Sequence, residues 1–186
     1  MNSAGTKQLE TERLTLNRVV SEDTEDIYRE ILGNKQHLHF LDWEYASDIN
    51  TAKAYVENII TNYSKEHYYF WIIKEKSTQQ FVGCILVCNS DIKKRLAEIE
   101  YVTCDNVQGR GYMTEALNAV IDFLIKEVGY YRVEGVCNVE NSASARVMEK
   151  AGMVFEGILR GRALNLNEEG NPGDLKMYSC LPWDRK

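Results

Sequence analysis

Prolines number only two in 186 residues, and no low-complexity stretch interrupts the chain, so little of it can serve as a flexible linker. A single well-cored domain is the expectation, with its core over about residues 9–184. No apolar run approaches the ~20 residues that a membrane-spanning helix needs, and the opening MNSAGTKQLETER lacks the apolar centre of a secretory signal. Membrane association is therefore not expected, and the cytoplasm is the expected location. Basic residues are in deficit, 22 against 28 acidic, and the formal charge of −6 works against adhesion to nucleic acid. CxxC pairs are absent too. The five cysteines, at 84, 88, 104, 137 and 180, fall mostly in apolar runs and read as reduced structural thiols rather than metal ligands. His37 and His39 read as loop or edge residues, and no metal set is expected.

What is present is a clear alternation of elements. LTLNRVV, residues 14–20, alternates apolar and polar positions as a half-buried strand does. Ser21 is placed to cap a helix that runs towards Gly33, its first turns crowded with Asp23, Glu25 and Asp26. A second helix follows Ser47 and Asp48, with Ala52, Val56, Ile59 and Ile60 on one stripe. Three runs rich in β-branched and aromatic residues, 68–75, 81–88 and 94–104, are separated by turns too short for parallel crossovers and predict an antiparallel meander. From there the spacing predicts a helix from near Gly111, a strand at 133–137, a helix capped by Asn141 that stops at Gly152, and strands near 153–161 and 174–181. The sum is a mixed α/β sheet.

The segment NVQGRGYMTEA, residues 106–116, sets two glycines before the best-defined helix, in which Met113, Ala116, Leu117, Val120, Ile121 and Leu124 face inward while Glu115, Asn118 and Asp122 point away. Backbone N–H groups at a helix start form a natural anion site. A Walker loop would require GKS or GKT, and a dinucleotide fold would require GxGxxG in a first βαβ unit, and neither pattern is met. Spacing alone leaves two readings, a phosphate cradle and a plain turn.

Residues 97–116, AEIEYVTCDNVQGRGYMTEA, together with NVENSASARVMEKAGMVFEGILRG at 138–161, resemble the GNAT acyltransferases, most strongly the branch of the ribosomal-protein N-terminal acetyltransferases. LETERLTL at 9–16 and DLKMYSCLPWD at 174–184 look like that branch's first and last strands. The resemblance implies a central, mostly antiparallel sheet of about seven strands, splayed between the fourth and fifth, and acetyl-CoA as cosubstrate. It implies that the pyrophosphate is bound at Gln108, Gly109, Arg110, Gly111, Tyr112, Met113 and Thr114, mainly by main-chain amides. Met113 departs from the family's usual small residue there. It also implies that unpaired backbone at Tyr101, Val102 and Thr103 holds the pantetheine arm, that Asn141 touches the cofactor, and that Ser144 can sit near its sulfur as the candidate proton donor, although the two also read as an ordinary helix cap and a polar residue of the helix. The tyrosine that many relatives use instead is Met148 here.

Glu98 and Glu100 share one strand face and could serve as general base, and Glu98 comes first because its position looks like that of the base in histone-type relatives, although the same pair also reads as solvated surface carboxylates. For the acceptor cleft the candidates are Trp43, Tyr45, Tyr69 and Trp71, with Arg160, Arg162, Glu168 and Glu169 on the last hairpin. The implied reaction is direct acetyl transfer to an amine, a protein N-terminus or a small molecule such as an antibiotic or polyamine. A non-catalytic acyl-CoA-binding module is the alternative. Either a monomer or a homodimer is compatible with the sequence.

Overall fold

The computed structural model describes residues 5–41, 43–163 and 170–185. Eight strands form one sheet in the order β1-β2-β3-β4-β5-β6-β8-β7. In chain order they are β1 (Leu9–Glu10), β2 (Leu14–Asn17), β3 (Phe70–Glu75), β4 (Phe81–Asp91), β5 (Leu96–Thr103), β6 (Arg132–Asn138), β7 (Val154–Leu159) and β8 (Leu175–Cys180). All neighbours pair antiparallel except β5 and β6. The two-residue β1 raises the expected count from about seven to eight, so the expected splay between the fourth and fifth strands lies between β5 and β6 in this numbering.

The helices cover both faces. Helix α1 (Thr24–Ile27) continues in wider turns through Leu32 and ends where the Gly33 amide bonds the Tyr28 carbonyl at 2.8 Å. Helix α2 (Ile49–Asn62) starts at Asp48, whose carboxylate accepts from the Thr51 amide at 2.9 Å as an N-cap. Ala52, Val56 and Ile59 form its buried stripe. Helix α3 (Tyr112–Asp122) continues to Val128 and closes on Gly129, and α4 (Ser142–Lys150) is capped by Asn141, whose Oδ1 accepts from the Ser144 amide at 3.0 Å. Gly152 adopts the left-handed backbone expected after α4, with φ of +78°.

Strand β3 divides the layers. Phe70 turns towards Trp43, which also meets Tyr55 of α2, whereas Tyr69 and Trp71 turn the other way onto Phe123 beyond α3. Register carries this parity across the sheet: Phe70, Leu86 and Glu100 share the α2 face, and Trp71, Ile85 and Tyr101 share the α3 face. Tyr69 and Trp71 are fully buried there, so they belong to the core and not to the acceptor cleft.

Two local expectations are corrected. The first long strand stops at Asn17 rather than Val20, because the chain turns away and the Val19 amide bonds the Tyr63 hydroxyl at 2.8 Å. The following turn is closed by Asp23, whose Oδ2 accepts from the Val20 amide at 2.9 Å, and not by the Ser21 side chain. The other Asp23 oxygen meets Lys74 Nζ at 2.7 Å, which gives that buried carboxylate a cation.

Candidate active site

The strands β5 and β6 run in parallel register for only three pairs, Leu96 with Arg132, Ala97 with Val133 and Glu98 with Glu134. Beyond them the two strands part. Strand β5 stays on β4 as far as the Gly83–Thr103 pair, and β6 stays on β8 as far as the Asn138–Leu175 pair, so each has a partner on its outer side only. Backbone groups of residues 99–103 thus border a gap in the sheet. A cleft of about 1570 Å³ occupies it and extends over both faces.

Its lining contains the sequence candidates Glu98, Glu100, Tyr101, Val102, Thr103, Gln108, Gly109, Gly111, Tyr112, Met113, Thr114, Asn141 and Ser144. Arg110 is exposed and stands outside the lining; its carbonyl accepts from Arg13 Nη1 at 3.1 Å. On the acceptor side Trp43 and Arg162 line the cleft. Tyr45 and Arg160 do not, and Lys35 lies over the Tyr45 ring. Glu168 and Glu169 lie outside the described residues.

The glycine loop is built for close approach. Gly109 and Gly111 both have φ of +77°, and Gly111 caps α3 in the left-handed region where a side chain is strained. A Cβ at Gly109 would meet nothing within 4 Å, which leaves the loop's outer side open to an incoming group. The Glu115 amide is the first to bond back, to the Gly111 carbonyl at 3.1 Å. The amides of residues 112–114 therefore lie at the positive end of the α3 dipole without a helical acceptor, the arrangement that receives an anion. This geometry fits a diphosphate.

Carboxylates gather on the α2 face of the gap. Glu100 Oε2 accepts from Trp43 Nε1 at 3.0 Å, which fixes its position. Among the described residues the Glu98 carboxylate makes no hydrogen bond, so its lone pairs are available to a ligand. Glu134, the register partner of Glu98, is the third acid at this point and is held by Arg132 Nε at 2.6 Å. Its place is not legible in the sequence, because nothing local to 133–137 tells which residue of β5 it faces.

On the opposite face lies Ser144, in the first turn of α4. The Tyr101 hydroxyl is 2.9 Å from both the Ser144 carbonyl and its Oγ. Burial pushes the Tyr101 phenol up, so it stays protonated. Cys137, on β6 beneath α4, is likewise pushed up by burial and remains a thiol. His37 stands nearly buried in the cleft wall, with Nδ1 2.6 Å from the Glu30 carbonyl and Nε2 2.8 Å from Asp105.

Known proteins share this fold. The GNAT acetyltransferase domain matches residues 13–154. The chain is 27% identical to the uncharacterized N-acetyltransferase YoaA of Bacillus subtilis (strain 168) over 173 residues, 93% of this chain and 96% of that one. It is 28% identical to the ribosomal-protein-serine acetyltransferase of Escherichia coli (strain K12) over 174 residues, 92% and 94% of the two chains. Its fold superposes on the ribosomal L7/L12 alpha-N-protein acetyltransferase RimL, solved in complex with coenzyme A, with a TM-score of 0.81 at 21% identity, covering 94% of this chain and 98% of that one. With the matched domain spanning most of its length, and a parted β5–β6 pair opening at a glycine-capped helix, the chain belongs to the GNAT acetyltransferase family.

Proposed function

We propose that the protein is a single-domain enzyme that transfers an acetyl group from acetyl-CoA to a primary amine by direct attack, with a protein N-terminal α-amine as the leading acceptor. One observation carries this reading: the gap between β5 and β6 joins an unengaged carboxylate, Glu98, on one face to a hydroxyl, Ser144, on the other, and opens at the start of α3. The acceptor assignment is supported by the ribosomal-protein acetyltransferase relative and rests on likeness.

Acetyl-CoA supplies a thioester-activated acetyl group. The amides of Gly109, Gly111, Met113 and Thr114 hold the diphosphate, with Gln108, Arg110 and Tyr112 completing the loop, and Asn141 bounds the adjoining wall. Main-chain groups at Tyr101, Val102 and Thr103 stand where the sheet ladder is interrupted, so they orient the acyl arm and polarise its carbonyl.

An ammonium ion cannot attack. Glu98 accepts a proton from it and leaves a neutral nitrogen whose lone pair forms the new C–N bond as the C–S bond breaks. Glu100, held by Trp43, adds negative charge that draws the cationic acceptor to this face. After attack the nitrogen passes its second proton to water, Ser144 Oγ–H protonates the departing sulfur and is reprotonated from that water, and Glu98 releases its proton to solvent, so of the two protons that leave the ammonium one ends on the thiol and one in solvent.

The test is an acceptor screen by mass spectrometry with acetyl-CoA and peptides, polyamines and aminoglycosides. A mass gain of one acetyl group on an N-terminal peptide amine, lost in Glu98→Gln, is expected. Acetylation confined to small amines overturns the acceptor assignment, and no acetylation of any amine despite coenzyme A binding overturns the enzymatic reading.

A further inference from the structure

The turn between β1 and β2 reaches the glycine loop, and its chemistry is not used by the reaction above. Arg13 donates to the Glu115 carboxylate twice, from its main-chain amide at 2.8 Å and from Nε at 2.7 Å. Thr11 Oγ1 bonds the same carboxylate at 2.5 Å. The rest of the guanidinium lies along the loop itself: Nη1 donates to the Arg110 carbonyl at 3.1 Å, Nη2 lies 3.6 Å from where a Gly111 Cβ would stand, and the guanidinium carbon is 4.5 Å from the centre of the Tyr112 ring. Tyr112 is in turn tied by its hydroxyl to Glu75, and the Arg13 carbonyl accepts from the Lys76 amide at 2.8 Å.

A loop with two left-handed glycines has many conformations to lose when it closes on a ligand. Arg13 is not in the cleft lining, and Glu115 offsets its charge, so a direct role on phosphate is not what the geometry offers. It touches Arg110, Gly111, Tyr112 and Glu115 together, which span the turn whose amides face the anion.

We propose that Arg13 is a positioning residue that fixes the glycine loop in its anion-binding shape before any ligand arrives, with Glu115 as its anchor. The inference rests on the proposed use of acetyl-CoA and concerns how that site is prepared. A fixed loop pays its ordering cost on folding rather than on binding. The planar fork is essential, because a lysine at 13 cannot reach Glu115 and the Arg110 carbonyl at once.

The experiment compares wild type, Arg13→Ala, Arg13→Lys and Glu115→Gln by amide hydrogen exchange of the ligand-free proteins and by titration with coenzyme A. Arg13→Ala is expected to speed exchange at residues 109–114 without changing it in β3 and β4, and to weaken coenzyme A about tenfold. Arg13→Lys should not rescue either quantity, and Glu115→Gln, which keeps the side-chain shape, should lie between. Wild-type exchange at residues 109–114 in Arg13→Ala overturns the proposal, as does faster exchange with unchanged affinity. Acceleration throughout the sheet, with a matching fall in melting temperature, also overturns it, since the arginine would then only stabilise the fold. A wild-type protein that binds no coenzyme A defeats the proposed function, and the exchange comparison still decides the role of Arg13.

Discussion

The Tyr101 side chain on β5 reaches α4, placing its hydroxyl 2.9 Å from both the carbonyl and the Oγ of Ser144. When the phenol donates to the carbonyl, its oxygen is free to accept from the serine, and when it donates to Oγ, the serine proton is free for the cleft. The second arrangement suits a proton donor.

Tyr101→Phe removes that partner and leaves the ring. With no phenol to direct it, Ser144 Oγ–H is expected to lose its bias towards the cleft, and kcat should fall by about tenfold with the KM for acetyl-CoA nearly unchanged. Ser144→Ala should lower kcat at least as much, and the double variant no further. Steady-state kinetics of the three proteins checks this, and additive losses would separate the two residues.

Gly111→Val places a branched residue at φ of +77° beside Arg13. The backbone must leave the left-handed region or bear strain on the order of 1–3 kcal/mol. Coenzyme A affinity, measured by calorimetry, should fall by at least about tenfold. Gly109→Ala, where a Cβ would meet nothing within 4 Å, should cost less.

Arg132 holds Glu156 by two bonds of 2.7 Å, and Ser179 adds a third. Together, Arg132 first, they lower the Glu156 pKa from 4.5 to about 2. A depressed carboxylate contributes stability that is fully present above its unfolded pKa and is lost as pH falls through the folded one. The melting-temperature gap between wild type and Glu156→Gln should therefore be constant from pH 7 to about 5 and shrink steadily towards pH 2. A gap independent of pH would contradict the pairing.

Arg185 closes the chain onto α3, with Nε 2.6 Å from Asp122, Nη1 2.9 Å from Asn118 Oδ1 and from the Ala151 carbonyl, and Nη2 3.1 Å from the Asn118 carbonyl. Replacement by alanine leaves these nearby acceptors to water and should lower stability by about 1–3 kcal/mol in a urea titration. Arg185→Lys, lacking the fork, should recover less than half of that loss.

Local rules were the readable part of this sequence. The Asn141 cap, the Gly111 start of α3 and the Gly152 stop each depend on residues within one helical turn, and each is where the pattern puts it. Face assignments were harder. Tyr69 and Trp71 alternate correctly with Phe70, but the sequence does not say which helix covers which face, and both aromatics proved to be core under α3. Glu134 is not legible as a site residue because its neighbour Glu98 is fixed by a parallel register between distant segments. Glu115 and Asp122 do point away from the apolar stripe, yet Arg13 and Arg185, far off in sequence, claim them. Long-range charge pairing of this kind leaves no periodic trace.

The brevity of the β5–β6 ladder has a mechanical side. One slab, β1 to β5, and another, β6 to β8, are riveted through three residue pairs at one end, while the other end is ajar. A linear group laid in the opening would meet unladdered strand backbone on either side, as an added strand does.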